Sequence, residues 1–216
     1  MLRGRDIKRY GYNFANLWLI NTHNGIKEKG LSPININDYP AIKRYLDNFY
    51  PELEVRADQG DTPYNLRNCA YMEDFFCQKI VWAETIRVYS DGSRNFPRFC
   101  LDTNSFTLDK TCFMMISKNA KFILAVLNSN LFEKYLKNNV MTLGTGSLGL
   151  QKEYIQQMPI PQISDTEQKQ FCSLVEQIIE KNGKGLDSSH LEKQIDALVY
   201  KLYDLNEQEI SYIEKV

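Results

Sequence analysis

The alternation of hydrophobic and polar positions changes rhythm along the chain. Residues 12–20, YNFANLWLI, are dense in aromatic and branched side chains and predict a strand, closed by the turn-like NTHNG. A helix is expected from Asp38, with Asp38 as cap, Pro40 in the first turn, and Ile42, Tyr45, Leu46 and Phe49 as its apolar stripe. The polar stretch YPELEVRADQGDTPYNL reads as an exposed excursion. KIVW and ETIRVY then predict strands, SDGSRN a polar turn, and the nearly continuous apolar run TCFMMIS a central strand.

From residue 119 the spacing becomes helical, and Phe122, Ile123, Val126, Leu127, Leu131, Phe132, Tyr135 and Leu136 can all reach a core. GTGSLGL follows as a connecting loop, and the two prolines of QQMPIPQIS keep that segment extended. The tail predicts three helices, each with a start signal: Ser164 with Glu167, Ser189 with Glu192, and Asn206 with Glu209 form capping boxes. NGKGLDSS separates the first two and permits an antiparallel hairpin. The expected class is α+β. A mixed region of β-sheet and packed helices covers 1–161, and a C-terminal helical hairpin lies in 162–216 and packs on it.

Composition narrows the function classes. A chain of 216 residues with 43% hydrophobic content can bury a core and is not a disordered chain. Five cysteines without a C-x-x-C argue against a secreted disulfide scaffold, and two histidines, His23 and His190, make a zinc site a poor fit. No apolar run reaches membrane-spanning length and no signal stretch opens the chain, so a cytoplasmic location is expected. The net charge of −1 hides an asymmetry: residues 162–216 carry 11 acids and 6 bases, residues 1–161 carry 16 acids and 20 bases. MLRGRDIKRY places Arg3, Arg5, Lys8 and Arg9 around the single acid Asp6.

Catalytic chemistry is not visible. Asp61, Glu73, Asp74, Glu84, Asp91 and Asp102 are scattered, with no spacing that pairs two carboxylates for a metal-dependent nuclease. The glycine-rich GTGSLGL follows a helix and lacks the Lys-Ser/Thr of a phosphate loop. Neither histidine lies near a recognisable nucleophile motif.

Several stretches in order resemble one family, the TaqI-like C-terminal specificity domain. They are the opening LRGRDIKRY, the loop and strand DTPYNLRN…FFCQKIVWAETI, the block KFILAVLNSNLFEKYLKN…LQKEYIQQMPIP, and the closing LEKQIDALVYKLYDLNEQEISYIEK. Tyr64 stands where relatives often carry tryptophan. The resemblance implies a DNA target-recognition domain of type II or IIG restriction–modification enzymes. Its partners would be double-stranded DNA and an adenine-N6 methyltransferase catalytic domain, in cis or in trans, sometimes with a nuclease. That catalytic part would use S-adenosylmethionine and, for cleavage, Mg2+. No cofactor is expected in this chain, because it contains no adjacent prolines and so lacks the N/D-P-P-Y/F/W tetrapeptide. The start at MLRGRDI agrees with excision at a domain joint.

On this reading Arg94, Asn95, Arg98, Thr145 and Ser147 are candidates for base contact, since arginine pairs with guanine and asparagine with adenine in the major groove. Arg3, Arg5, Lys8, Arg9, Arg67, Lys79, Arg87 and Lys152 are candidates for the DNA backbone. Trp82 reads as a core residue of a sheet face ahead of a stacking platform. Two rivals remain: a protein-interaction domain docking through its C-terminal helices, which would show a large exposed apolar patch, and a self-contained nuclease, which would show convergent carboxylates.

Overall fold

A computed structural model describes residues 1–88, 95–144 and 146–215. The chain divides into two compact units, Met1–Leu17 with Phe75–Val216, and Trp18–Asp74. Among the described residues are eight α-helices and three small antiparallel sheets, so the fold is α+β.

The larger unit is organised by one three-stranded sheet. Its centre is β3 (Lys79–Ala83), flanked by β5 (Phe99–Asp102) and β6 (Cys112–Met115). Every residue of β3 is buried, because both faces are covered. Ile80 and Trp82 point into the main core with Phe99 and Leu101, against α3 (Ala120–Leu127). Val81 and Cys100 point the other way, under Leu2 and Ile7 of the opening segment. That segment is laid on the sheet by Leu2 N–H donating to the Thr107 carbonyl at 2.8 Å and by the two-residue pair β1 (Ile7–Lys8) and β2 (Gly11–Tyr12). The apolar run TCFMMIS was expected at the centre; it supplies the edge strand β6 and is only half-buried. Its period could not reveal that β3 would take partners on both sides.

Beyond α3 lie α4 (Asn130–Asn139), α6 (Asp165–Gly183), α7 (Ser189–Leu202) and α8 (Glu207–Glu214). Helix α6 packs on α3 and on α7, burying Phe171, Leu174, Val175 and Ile178. The capping boxes at Ser164/Glu167 and Asn206/Glu209 form as the spacing requires. The third does not. Helix α7 starts one residue earlier than expected, with Ser188 at the N-cap, and Glu192 turns away to an ion pair with Arg9. The helix expected to run through 120–139 also breaks into α3 and α4 at Asn128–Ser129, and the Ser129 hydroxyl caps α4 through the Phe132 N–H.

A second sheet orders β4 (Thr85–Arg87), β8 (Ser147–Gly149) and β7 (Met141–Leu143). The glycine-rich stretch expected to be a plain loop is therefore a hairpin: Gly146, at a φ of 72°, donates to the Leu143 carbonyl and returns the chain. A short helix, α5 (Lys152–Gln156), follows.

The unit Trp18–Asp74 contains α1 (Pro40–Asp47) and α2 (Tyr50–Val55). Its loops are held by buried polar side chains. Asn24 donates to Asp61 and Asn68 and accepts from the Asp61 N–H, while Asn65 donates to the Ile34 carbonyl. Gly60 approaches Asn24 so closely that a Cβ would meet Oδ1 at 2.4 Å. Tyr64 seats its loop on α1, its hydroxyl donating to Asp47 at 2.5 Å. Two expectations fail in this stretch of the chain and just before it. Residues 13–20 form no strand: Asn16 has a φ of 55°, and β-branched or aromatic content makes a strand only where a partner and a half-buried face exist. Helix α1 starts at Pro40 with Tyr39, not Asp38, at its N-cap, and its apolar stripe is not a core stripe: Tyr45 and Phe49 are exposed.

Candidate nucleic-acid interface

Strand β4 is the spine on which the sequence candidates of the larger unit gather. Ile86 is fully buried, so Thr85 and Arg87, on either side of it, face outward. Arg87 lies opposite Ser147, and Ser147 lies opposite Leu143, so the three share one end of the sheet; Arg87 is exposed, whereas Ser147, on the middle strand, is buried and offers little surface to a base. Arg98 joins them from the start of β5, its Nη2 donating to the Arg87 carbonyl at 3.2 Å. Asn95 is half-buried on the same approach to β5. Residues separated by sixty positions, Arg87 and Ser147, thus meet on one sheet. Arg94 and Thr145 lie outside the described residues.

The other end of β4 faces the opening segment. Arg3, Gly4, Arg5, Glu84, Thr85, Asp109 and Thr111 line a depression of about 360 Å³. Gly4 belongs there for lack of a side chain: a Cβ would come within 3.0 Å of the Thr111 carbonyl and hydroxyl. Its N–H donates to Thr111 Oγ1 at 2.8 Å. Arg3 forks onto Asp6, Nε and Nη2 donating at 2.9 and 2.8 Å, and the Arg3 N–H donates to the same carboxylate. The Arg3 guanidinium therefore holds the Asp6 carboxyl below its ordinary range. Arg5 and Lys8 are exposed and form no ion pair among the described residues. Glu84 fixes the far wall: its carbonyl accepts from the Leu150 N–H at 2.7 Å and its carboxylate from Gln151 at 3.0 Å, which leaves exposed Lys152 next in the chain.

Two of the backbone candidates are withdrawn by their burial. Lys79 is completely buried, with Nζ 2.6 Å from Asp102 and 2.6 Å from the Phe75 carbonyl, so it offers no charge to a phosphate. Arg9 has a side chain only 8% exposed, paired with Glu192 at 2.6 Å. Arg67, in the smaller unit, is exposed and lies 3.4 Å from Asp58. Trp82 is a core residue, as its sheet position suggested: it is 2% exposed and its indole N–H donates to the Leu150 carbonyl at 2.9 Å.

One structural residue carried no chemical signal in the sequence. Asn128, inside the LNS motif, is fully buried and grips a single residue by both backbone groups: Nδ2 donates to the Phe99 carbonyl at 2.9 Å, and Oδ1 accepts the Phe99 N–H at 3.1 Å. The motif is thus a helix break, a cap and a clamp on β5, next to Arg98. Among the described residues no group of three or more His, Cys, Asp and Glu side chains is arranged to hold a metal ion. No described helix is long and apolar enough to cross a membrane.

This end of the sheet thus carries Arg87 and Arg98 over a buried scaffold, with Arg5, Lys8 and Lys152 exposed elsewhere on the larger unit. The family model of the TaqI-like C-terminal specificity domain matches residues 1–160, and the chain belongs to that family.

Proposed function

We propose that this chain selects the target sequence for an adenine-N6 DNA methyltransferase of a type II or IIG restriction–modification system. Methyl transfer, and cleavage where the enzyme also cuts, belong to a catalytic domain acting in cis or in trans. Residues 1–161 read the duplex and 162–216 support them. The observation that carries this reading is the convergence of Arg87 and Arg98, from separate segments, on one sheet end, since reading a base edge requires side chains from separate segments fixed on a rigid support. Arg94, Asn95, Arg98 and Thr145 are assigned to bases. Arg5, Lys8, Arg87 and Lys152 are assigned to phosphates, with Arg3 shaping the site through Asp6 and Arg67 as a backbone contact of the smaller unit. S-adenosylmethionine and Mg2+ would be held by the catalytic domain; the tetrapeptide that accompanies the former is not in this sequence.

The direct test is selection by the full chain from a randomised duplex library, followed by sequencing. Enrichment of one short motif is expected. Salt-sensitive binding without any enriched motif would reduce the chain to a non-specific DNA binder.

A further inference from the structure

The Arg9 side chain, excluded from the DNA surface, stands at a junction. Its Nε donates to Glu192 of α7 at 2.6 Å, its Nη1 to the Pro97 carbonyl at 3.0 Å, and its Nη2 to the Asn128 carbonyl. The Arg9 carbonyl accepts from Asn182 near the end of α6 at 3.5 Å, and Asn182 in turn accepts from the Ser188 hydroxyl at the α7 N-cap at 2.8 Å. Tyr10 N–H donates to the Phe99 carbonyl at 2.9 Å. Three elements far apart in sequence are therefore joined through one guanidinium: the first turn of α7, the break between α3 and α4, and residues 95–99, which carry Asn95 and Arg98. The Arg98 side chain continues the path to the Arg87 carbonyl. Glu192 lies outside residues 1–160, which the specificity-domain family matches.

A planar fork with three engaged nitrogens is a rigid strut, because rotating the guanidinium to relieve one bond breaks the others. Glu192 supplies the counter-charge that such a buried cation requires. We propose that Arg9 and Glu192 are positioning residues for target recognition: the tail helices, through this pair, set the placement of residues 95–98 at the DNA-facing end of the second sheet. The pair touches no DNA. This inference rests on the recognition role proposed above for Asn95 and Arg98.

The experiment compares the wild-type chain with Glu192→Gln and Arg9→Lys, and uses Glu180→Gln, which removes an exposed partner of Lys184, as a control. Arg9→Lys keeps the charge but loses the fork, so it reports even where Glu192→Gln folds poorly. Two readouts are taken. Hydrogen exchange by mass spectrometry should show faster exchange in peptides covering 95–100 in both variants but not in the control, including the Phe99 amide held by Asn128. Fluorescence anisotropy should then compare the duplex enriched by the wild-type chain with a scrambled duplex. The ratio of the two affinities should fall at least about fivefold in both variants, while affinity for the scrambled duplex stays near wild type. Unchanged exchange at 95–100 would overturn the strut. Faster exchange with full discrimination would overturn the positioning role and leave a stabilising contact only. A wild-type chain that prefers no duplex would instead refute the recognition reading, and exchange would still decide the strut.

Discussion

Lys79 and Asp102 are direct cross-strand partners of β3 and β5, and their side chains form an ion pair of 2.6 Å with neither exposed to solvent. Desolvating two charges is tolerated only when their remaining hydrogen-bonding capacity is met. Here it is: Lys79 also donates to the Phe75 carbonyl, and Asp102 accepts from the Asn104 and Phe106 N–H groups at 2.8 and 3.0 Å. The pair ties the start of β3, the strand on which both cores depend, to β5.

Removing one partner should strand the other. Asp102→Ala is expected to destabilise the chain by about 3–5 kcal/mol, whereas Lys79→Met combined with Asp102→Asn should cost clearly less. Urea unfolding of the single and double variants measures the difference. A single variant within about 1 kcal/mol of wild type would mean that water reaches the site.

Arg3 and Asp6 should give an acid-sensitive contribution to stability. The Asp6 carboxyl lies below its ordinary value in the folded chain because Arg3 donates to it. A depressed group stabilises above its unfolded pKa, about 3.9, and loses that contribution as pH falls through the folded value. The gap in unfolding free energy between wild type and Arg3→Ala should thus hold steady from neutrality to about pH 5 and close below about pH 4. Urea titrations at stepped pH would show it; a gap that widened in acid would contradict the ion pair.

Thiol labelling should separate the cysteines by burial. Cys112 is pushed up to about 12 and Cys100 is pushed up as well, each chiefly by desolvation, while Cys77 is exposed. At mildly alkaline pH iodoacetamide should modify Cys77 promptly, half-buried Cys112 slowly, and buried Cys100 only on unfolding. Mass spectrometry of quenched samples follows the order, and early loss of the Cys100 thiol would show that the second core opens.

The two kinds of DNA contact should respond differently to substitution. Arg94→Ala is expected to cost about 1–3 kcal/mol on the selected duplex and little on a scrambled one. Arg5→Ala should weaken both by similar factors and reduce the salt slope by up to about one unit. Anisotropy across a salt series reads both quantities. Equal losses from Arg94→Ala on the two duplexes would make that residue a backbone clamp.

Methyl transfer should require the catalytic domain. The isolated chain with labelled S-adenosylmethionine and mixed duplex DNA is expected to give background counts, and clear incorporation would overturn the division of labour proposed here.

What the sequence determined by itself was set by short-range physics. The capping boxes at Ser164 and Asn206 involve atoms three residues apart, and the apolar period of α6 and α7 already marks Phe171, Val175, Ile178, Leu191, Ile195 and Val199 as inward. The ordered family stretches carried the specificity-domain resemblance for the same reason: they are contiguous words. Tertiary structure decided everything that needed a distant partner. Glu192 has the spacing of a capping box yet pairs with Arg9, 183 residues away. TCFMMIS has the composition of a central strand yet lies at an edge, because β3 pairs on both sides. Four basic residues that look alike in MLRGRDIKRY part company once Leu2 and Ile7 are laid on the sheet: Arg5 and Lys8 remain in water, Arg3 folds onto Asp6, and Arg9 turns inward to the tail. A charge announces itself in a sequence; whether it meets solvent or a buried counter-charge depends on which surfaces the folded chain brings over it.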